Sequence, residues 1–343
     1  MSEGEGRKTV SGVLWSAIER FSVQAIQLIL SVIIARLVQP SDYGLIAMLS
    51  IFMAIAQTFI DCGFSNALIH KQQRTNIDYS TAFYFNVLIG VLMRRILLVV
   101  AYEGTNYCGW QIQPSGETIE GVLNRELSRL LQEEIRVIGA SRTDSGVHAK
   151  GAVAVFDTET RIPPEKISYA VNKSLPEDIR VVGSREVSPE FHPRKTNCRK
   201  TYEYRIRHDA FPMPTERLYT HWVHTALDVD KMREAAAYLV GEHDFKSFCS
   251  VHTQAETTIR TIYQLEVEET GAEIRIRVCG NGFLYNMVRI IAGTLIEAGQ
   301  GKYPPERVKE MLDGKERQKS GPTAPAKGLC LLGYEWDSAV EEK

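Results

Sequence analysis

Two patterns of apolar residues follow one another along the chain, and the change falls near Met93. Before it, three long runs carry no charge: residues 21–35, 44–60 and 80–93. A helix that spans a bilayer needs about 20 apolar residues, and about 17 is the lower limit. We therefore predict an all-α apolar segment over residues 1–92. Its helices are candidates for membrane spans, and the alternative is buried or interfacial helices of a soluble protein.

After Met93 the spacing predicts alternating strands and helices, because apolar residues alternate or run together in some segments and recur every three or four positions in others. Strands are predicted at residues 94–104, 135–140, 152–159, 179–187, 199–208, 261–269, 272–280 and 328–336. Helices are predicted after Thr118, Pro163 and Asp228, where the residue types favour a helix start, and an amphipathic helix is predicted at 283–299. The order indicates an α+β fold in which two similar α/β halves, 93–190 and 191–343, share an antiparallel sheet with a central cleft.

Composition adds few constraints. The 343 residues carry a net charge of -2, which favours no class of partner. The six cysteines show no regular spacing, so we expect neither a disulfide framework nor a metal site, and a reducing, cytoplasmic setting for the part after residue 92. No cleavable signal peptide is expected, because the first residues are polar and the apolar run that follows is too long.

The stretch "GASRTDSGVHAKG", residues 139–151, places Arg142 two residues before Asp144 among small side chains. Small residues let a large flat substrate approach the backbone. A neighbouring arginine favours the ionised carboxylate, and an ionised carboxylate can act as a nucleophile. The simpler interpretation is a turn with a surface ion pair, which the motif alone does not exclude.

Further motifs accompany this loop in order. They are "AYEGTNYCGWQIQ", "VNKSLPEDIRV", "FHPRKTNCRKTYEYRI", "GEHDFKSFCS", "NGFLYNMVRIIAGTLIEAGQGK" and "TAPAKGLCLLGYEW". Together they resemble the tRNA pseudouridine synthase A family over nearly all of residues 94–337. The resemblance implies two α/β halves around an antiparallel sheet, a homodimer, and no metal or organic cofactor. It also implies conversion of uridine to pseudouridine at positions 38–40 in the anticodon arm of tRNA.

The resemblance also assigns roles to individual residues. Asp144 matches the nucleophilic aspartate, and Arg142 matches the arginine that partners it and helps to hold the base out of the stack. Tyr202 matches the tyrosine that stacks on the target uracil. Arg289 matches a buried arginine near the aspartate, and Leu329 matches an apolar wall of the pocket.

Four other residues have weaker or different expectations. Ser145 stands where the family more often has alanine, and Ala152 where glutamine or asparagine is common, a change that would alter hydrogen bonding near the loop. We expect His148 to be structural, because the reaction does not require a second titrating group. Trp110 is expected in the core.

A basic run flanks Tyr202. It comprises Arg194, Lys195, Arg199, Lys200, Arg205 and Arg207, with Glu203 as the one acidic residue among them. Such runs usually form a solvated face. Because this run adjoins the expected substrate-binding tyrosine, we predict that Arg194, Arg199 and Lys200 bind RNA phosphates.

The segment before Met93 resembles the start of bacterial polysaccharide flippases of the O-antigen type. The matching stretches are "IIARLVQPSDYGLIAMLSIF" and "FIDCGFSNALIHKQQRTNIDYSTAFYFNVLIG". Flippases of this kind carry many more helices, so a translocation path cannot be built from residues 1–92 alone. A misplaced gene boundary or assembly join at Met93 is the preferred explanation.

Three functional interpretations result. The first is a tRNA pseudouridine synthase with an extraneous N-terminal segment. The second is a membrane-tethered form of the same enzyme, attached through residues 1–92. The third is a flippase fragment fused to a passive RNA-binding module. The joint presence of Arg142, Asp144 and Tyr202 argues against the third.

Overall fold

A computed structural model describes residues 93–250 and 255–336. The chain divides into two units between Leu92 and Met93. The apolar helices predicted within residues 1–92 lie outside the described residues. In the two described ranges, every helix is too short or too polar to cross a bilayer.

One sheet of ten strands runs through the described unit and gives it a mixed α/β architecture. The strands are β1 (Arg94–Tyr102), β2 (Ile138–Gly139), β3 (His148–Thr158), β4 (Ile179–Val187), β5 (Cys198–Arg207), β6 (His221–Trp222), β7 (Gly241–Asp244), β8 (Ile259–Thr270), β9 (Glu273–Gly280) and β10 (Leu329–Trp336). Their order is β4-β1-β3-β10-β5-β9-β8-β7, with β2 beside β3 and β6 beside β5.

Five helices accompany the sheet: α1 (Ile119–Leu131), α2 (Pro164–Val171), α3 (Val229–Ala237), α4 (Met287–Gly299) and α5 (Arg307–Gly314). The predicted starts are confirmed. The side chains of Thr118 and Asp228 accept hydrogen bonds from backbone nitrogens of the first turns of α1 and α3, and Pro164 opens α2. Polar side chains thus satisfy amide groups that a helix start leaves without partners.

The strand β10 joins the two halves. It pairs antiparallel with β5, where Leu331 lies opposite Tyr202, and parallel with β3, where Cys330 lies opposite His148. The sheet is antiparallel, as expected, except where β10 pairs with β3 and where β6 pairs with β5, which are parallel. Apolar residues of both halves form one continuous core.

Residues 135–140 form less strand than predicted. Only Ile138 and Gly139 pair, with Val155 and Ala154 of β3. The preceding backbone is bound to α1 instead, because Ser128 Oγ accepts from the nitrogen of Ile135 at 2.8 Å. Asn124 Oδ1 likewise accepts from the nitrogen of Val137 at 2.8 Å. Side chains of the helix thus replace the partners that a sheet would supply.

The helix α4 is buried nearly all round rather than amphipathic. Only Arg289 and Glu297 among its residues are not fully buried. The segment that leads towards β10 crosses the helix directly, so that a Cβ on Gly293 would lie 1.9 Å from the carbonyl oxygen of Pro322. Glycine at this position therefore allows the chain to cover the outer face of α4.

A chain that begins at Met93 is expected to fold with the same stability as the corresponding part of the full chain, because its core draws on residues after 93. Removal of the apolar runs before Met93 should also raise solubility. Thermal unfolding of both chains in matched detergent tests this. An unfolded shorter chain would show that residues 1–92 are an integral part of the fold.

Candidate active site

The loop between β2 and β3 is held by bonds to the end of β1 and the segment after it. The hydroxyls of Thr143 and Tyr102 are 2.7 Å apart and both residues are buried. Ser145 Oγ donates to the carbonyl of Tyr107 at 3.1 Å. The turn is completed by Gly146 with φ +77°, a conformation that favours glycine. These contacts fix the backbone on both sides of Asp144.

The carboxylate of Asp144 faces α4. Nη1 of Arg289 lies 3.5 Å from Oδ2 of Asp144. The sequence predicted Arg142 as the ion-pairing partner. Arg142 is exposed and lines the same cavity, and α4 brings a second, partly buried guanidinium to the carboxylate. Arg289, expected near the aspartate, is the residue that contacts it.

Two opposed effects set the acidity of Asp144. Burial raises the pKa of its carboxyl above the ordinary value, because a charge loses solvation there. The positive charge and hydrogen bond of Arg289 lower that pKa, but they do not cancel the effect of burial. The result is a carboxylate that is more basic than a solvent-exposed aspartate.

Arg289 is held independently of the carboxylate. Its Nε donates to the carbonyl of Ala324 at 2.8 Å, and its Nη1 donates to Oδ1 of Asn286 at 2.7 Å. Both bonds have ordinary lengths, whereas the 3.5 Å contact to Asp144 is at the outer limit. The position of the guanidinium is thus determined by its other two acceptors.

Tyr202 and Leu329 lie on adjacent strands beside the loop. Tyr202 on β5 is buried, and Phe283 packs edge-on against its ring with 5.3 Å between the ring centroids. Burial, followed by the nearby charge of Asp144, raises the pKa of the Tyr202 phenol well above its usual value. Leu329 at the start of β10 is 5% exposed. The pair supplies a neutral aromatic ring and an apolar wall.

These residues line one cavity of about 940 Å³, large enough for a nucleoside and its neighbours. The walls come from both halves of the sheet. Among the described residues that line it, Asp144 is the one carboxylate, and the cations are Arg142, Arg194, Lys200 and Arg289. A single anion among four cations suits a ligand that carries negative charge outside its reacting centre.

The basic run beside Tyr202 is divided between the two faces of β5, because neighbouring residues of a strand point to opposite sides. Lys200 lines the cavity together with Tyr202. Arg199 instead lies over the ring of Tyr263 at 4.6 Å. Arg205 and Arg207 are paired with Glu273 and Asp209 at 2.5 Å. Of the three residues predicted to bind RNA phosphates, Arg194 and Lys200 share the cavity with Asp144, and Arg199 lies on the other face of β5.

His148 and Trp110 occupy structural positions, as predicted. Nδ1 of His148 accepts from the nitrogen of Gly104 at 3.0 Å, and Nε2 lies 2.8 Å from the carbonyl of Leu218. Trp110 is 1% exposed in the core. Ala152 is likewise buried within β3. Within the described ranges, no cluster of three His, Cys, Asp or Glu side chains could hold a metal ion.

Sequence reasoning missed Phe283 and Asn286, although both belong to the motif "NGFLYNMVRI". Phe283 packs against Tyr202, and Asn286 binds the arginine that contacts Asp144. An asparagine directly before a long apolar helix is a recognisable signal, but it indicates a helix cap rather than a contact within the site.

Comparisons with known proteins show the family to which the chain is similar. A family model described as tRNA pseudouridine synthase matches residues 98–194 and 235–337. A tRNA pseudouridine synthase A from Thermoanaerobacter sp. (strain X514) is 46% identical over 240 residues, 70% of this chain and 98% of that protein. A tRNA pseudouridine synthase A 2 from Clostridium perfringens (strain 13 / Type A) is 45% identical over 239 residues, with the same shares of 70% and 98%.

Two other likenesses are narrower. The solved archaeal box H/ACA sRNP Nop10-Cbf5 complex is 14% identical, covers 66% of this chain and 59% of that chain, and has a TM-score of 0.27, which is too low to bear on the fold. A family model described as polysaccharide biosynthesis protein matches residues 33–107, in agreement with the flippase-like N-terminal segment. By the matches that cover most of its length, the chain belongs to the tRNA pseudouridine synthase family.

Proposed function

We propose that the part of the chain after residue 92 converts uridine to pseudouridine at positions 38–40 of the tRNA anticodon arm, with Asp144 as the nucleophile. The observation that carries this proposal is the position of Asp144, the one carboxylate among the described cavity residues, beside the buried ring of Tyr202. The family supplies the reaction class, and the geometry supplies candidates for each role.

The isomerisation breaks the bond between N1 of uracil and C1′ of ribose and forms a bond between C5 and C1′. C5 loses its proton, and N1 gains one, so the reaction needs no oxidant or second substrate. An ionised Asp144 can attack the base, attack the sugar or remove the proton at C5. Burial makes its oxygens poorly solvated and correspondingly more basic.

The target base must leave the stack before any of these steps, at a cost of a few kcal/mol. Stacking on an aromatic side chain returns about 1–3 kcal/mol per base. Tyr202 provides that ring, and the edge-on contact with Phe283 holds it in one orientation. Leu329 closes the apolar side of the cavity, so that a detached uracil is retained there and shielded from water.

The cations at the cavity suit the RNA backbone and the vacated base position. Arg142 is exposed at the mouth, where it can occupy the space left in the stack by the extruded base. Burial lowers the pKa of Lys200, and the charges of Arg260 and Arg194 lower it further. Phosphate oxygens placed against Lys200 and Arg194 would relieve this repulsion.

The other interpretations have less support. A passive RNA-binding module would have no need for a carboxylate buried beside a base-stacking ring, since a carboxylate repels phosphates. Membrane attachment through residues 1–92 and assembly as a homodimer stay predictions, and so does a cytoplasmic location of the catalytic part. Cell fractionation and the mass of the protein in solution test them.

Replacement of Asp144 by Asn is expected to leave folding and tRNA binding intact and to slow pseudouridine formation by at least about a thousandfold, because the amide cannot act as a nucleophile. Pseudouridine in tRNA, the melting temperature and tRNA affinity should be measured together. The control is Asp157→Asn, a change in a carboxylate paired with Arg95 on the sheet. Near-normal modification by Asp144→Asn would refute the assignment.

As pH is lowered, the rate of pseudouridine formation should begin to fall at a higher pH than the ordinary aspartate pKa of about 3.9 would give. Asp144 must be ionised to react, and its raised pKa means that protonation begins at a higher pH. Because Arg289 lowers this pKa, Arg289→Gln should move the acid limb of kcat/KM further upward. An acid limb in the same place for both proteins would contradict the assignment of that limb to Asp144.

Lys200→Gln is expected to weaken tRNA binding severalfold and to reduce the salt dependence of the affinity by about one phosphate contact. Arg199→Gln is the matched control. Arg199 is the neighbour of Lys200 in the sequence, but its side chain lies on the other face of the strand, against Tyr263. Salt titrations of tRNA binding distinguish the two. Equal effects of both substitutions on tRNA binding would show that Lys200 does not bind tRNA through its place in the cavity.

A further inference from the structure

Asn286 connects the turn before α4 to the arginine that contacts Asp144. It has a left-handed backbone conformation with φ 61°. Its Oδ1 accepts from Nη1 of Arg289 at 2.7 Å, and its Nδ2 donates to Oγ of Ser250 at 2.9 Å. The nitrogen of Ser250 donates in turn to the carbonyl of Tyr285 at 3.1 Å. Both ends of the Asn286 amide are therefore engaged.

Two simpler roles do not account for these contacts. A left-handed position is best filled by glycine, and asparagine is only tolerated there, so the backbone alone does not require the amide. An asparagine at the start of a helix often caps it, but the side chain of Asn286 makes no capping bond to α4. A guanidinium can only donate, which fixes the amide with its oxygen towards Arg289.

The amide and Asp144 both accept from the same guanidinium nitrogen, which carries two hydrogens, and the bond to the amide is much the shorter. Nη1 of Arg289 lies 2.7 Å from Asn286 Oδ1 but 3.5 Å from Asp144 Oδ2. An arginine with a carboxylate as its sole acceptor usually closes to about 2.7–2.9 Å and binds both oxygens. The amide, together with the carbonyl of Ala324 that accepts from Nε at 2.8 Å, keeps the guanidinium from closing to that distance from Asp144.

We propose that Asn286 is a positioning residue, which holds Arg289 where its charge favours the ionised Asp144 carboxylate without capturing the oxygens that must react. This rests on the proposed role of Asp144 in catalysis. The benefit is kinetic: a tightly paired carboxylate would have to break a strong hydrogen bond before each attack, and a distant arginine would leave the buried charge unsupported.

The surroundings of Asp144 leave Arg289 as the group that Asn286 can control. The titratable and charged side chains that line the cavity with Asp144 are Cys108, Arg142, Arg194, Lys200, Tyr202, Tyr285 and Arg289. Among the described residues, Arg289 is the cation in direct contact with the carboxylate. A carboxylate introduced at position 286 would therefore act on Asp144 chiefly through this arginine.

The first test is Asn286→Gly in the full chain. Glycine keeps the left-handed backbone, so the change removes the amide without adding strain. We expect kcat for tRNA modification to fall about 10- to 100-fold, the size associated with a displaced catalytic group, while KM changes by less than about twofold. The matched control is Gln132→Gly, which removes another left-handed side chain, at the end of α1, and should leave kcat unchanged.

The second test is Asn286→Asp, which keeps the shape of the side chain and adds a negative charge. The new carboxylate should draw Arg289 into an ion pair, which withdraws its support from Asp144 and adds repulsion. The acid limb of kcat/KM should then move to higher pH than in the wild-type chain. A residue that only supports the fold would change the melting temperature and leave the pH profile in place.

The outcomes separate the two proposals. If Asn286→Gly keeps the wild-type kcat, or if Asn286→Asp leaves the acid limb unmoved, the positioning role is overturned, while an inactive Asp144→Asn still supports the proposed function. A wild-type chain that forms no pseudouridine, or an active Asp144→Asn, overturns the proposed function itself. Should Asn286→Gly fail to fold, the pH profile of Asn286→Asp decides alone.

Discussion

The site depends on keeping one carboxylate charged in a place where water supports it only in part. Removal of Asp144 from solvent raises its pKa, and Arg289 restores part of the lost stabilisation from 3.5 Å away. A longer separation would raise the pKa of Asp144 further, and a shorter one would give a strong pair with little reactivity. The loop, the start of α4 and the segment that carries Ala324 must therefore hold their relative positions within a few tenths of an ångström.

The sheet achieves this because β10 lies between the halves rather than at an edge. Its residue Leu329 forms a wall of the cavity, and its neighbours on either side are the strand that follows the Asp144 loop and the strand that carries Tyr202. The segment before β10 also covers α4 and supplies the carbonyl that anchors Arg289. The segment that contains Ala324 and β10 thus connects β3 to β5 and also fixes the Arg289 guanidinium next to Asp144.

Local signals in the sequence predicted most elements but not their relations. The caps at Thr118 and Asp228 and the alternation of burial in β9 are short-range features, and the structure contains each of them. The place of β10 and the burial of α4 depend on contacts between distant segments, whereas the separation of Arg199 from Lys200 follows from the alternation of side chains along β5. The predicted residues that line the cavity came from motif resemblance, which records such pairing indirectly. Asn286 was not predicted because its side chain binds Arg289, three residues later, and this contact depends on the left-handed backbone conformation of Asn286.

The order of synthesis gives the position of β10 another consequence. Of the described strands it leaves the ribosome last, yet it lies in the middle of the sheet. While the chain is being translated, the edges of β3 and β5 face each other without the strand that belongs between them. Exposed strand edges invite pairing with other chains, so the nascent protein is open to misassembly until β10 has paired with β3 and β5. The catalytic cavity, with Leu329 in its wall, is complete only after β10 has taken its place between β3 and β5.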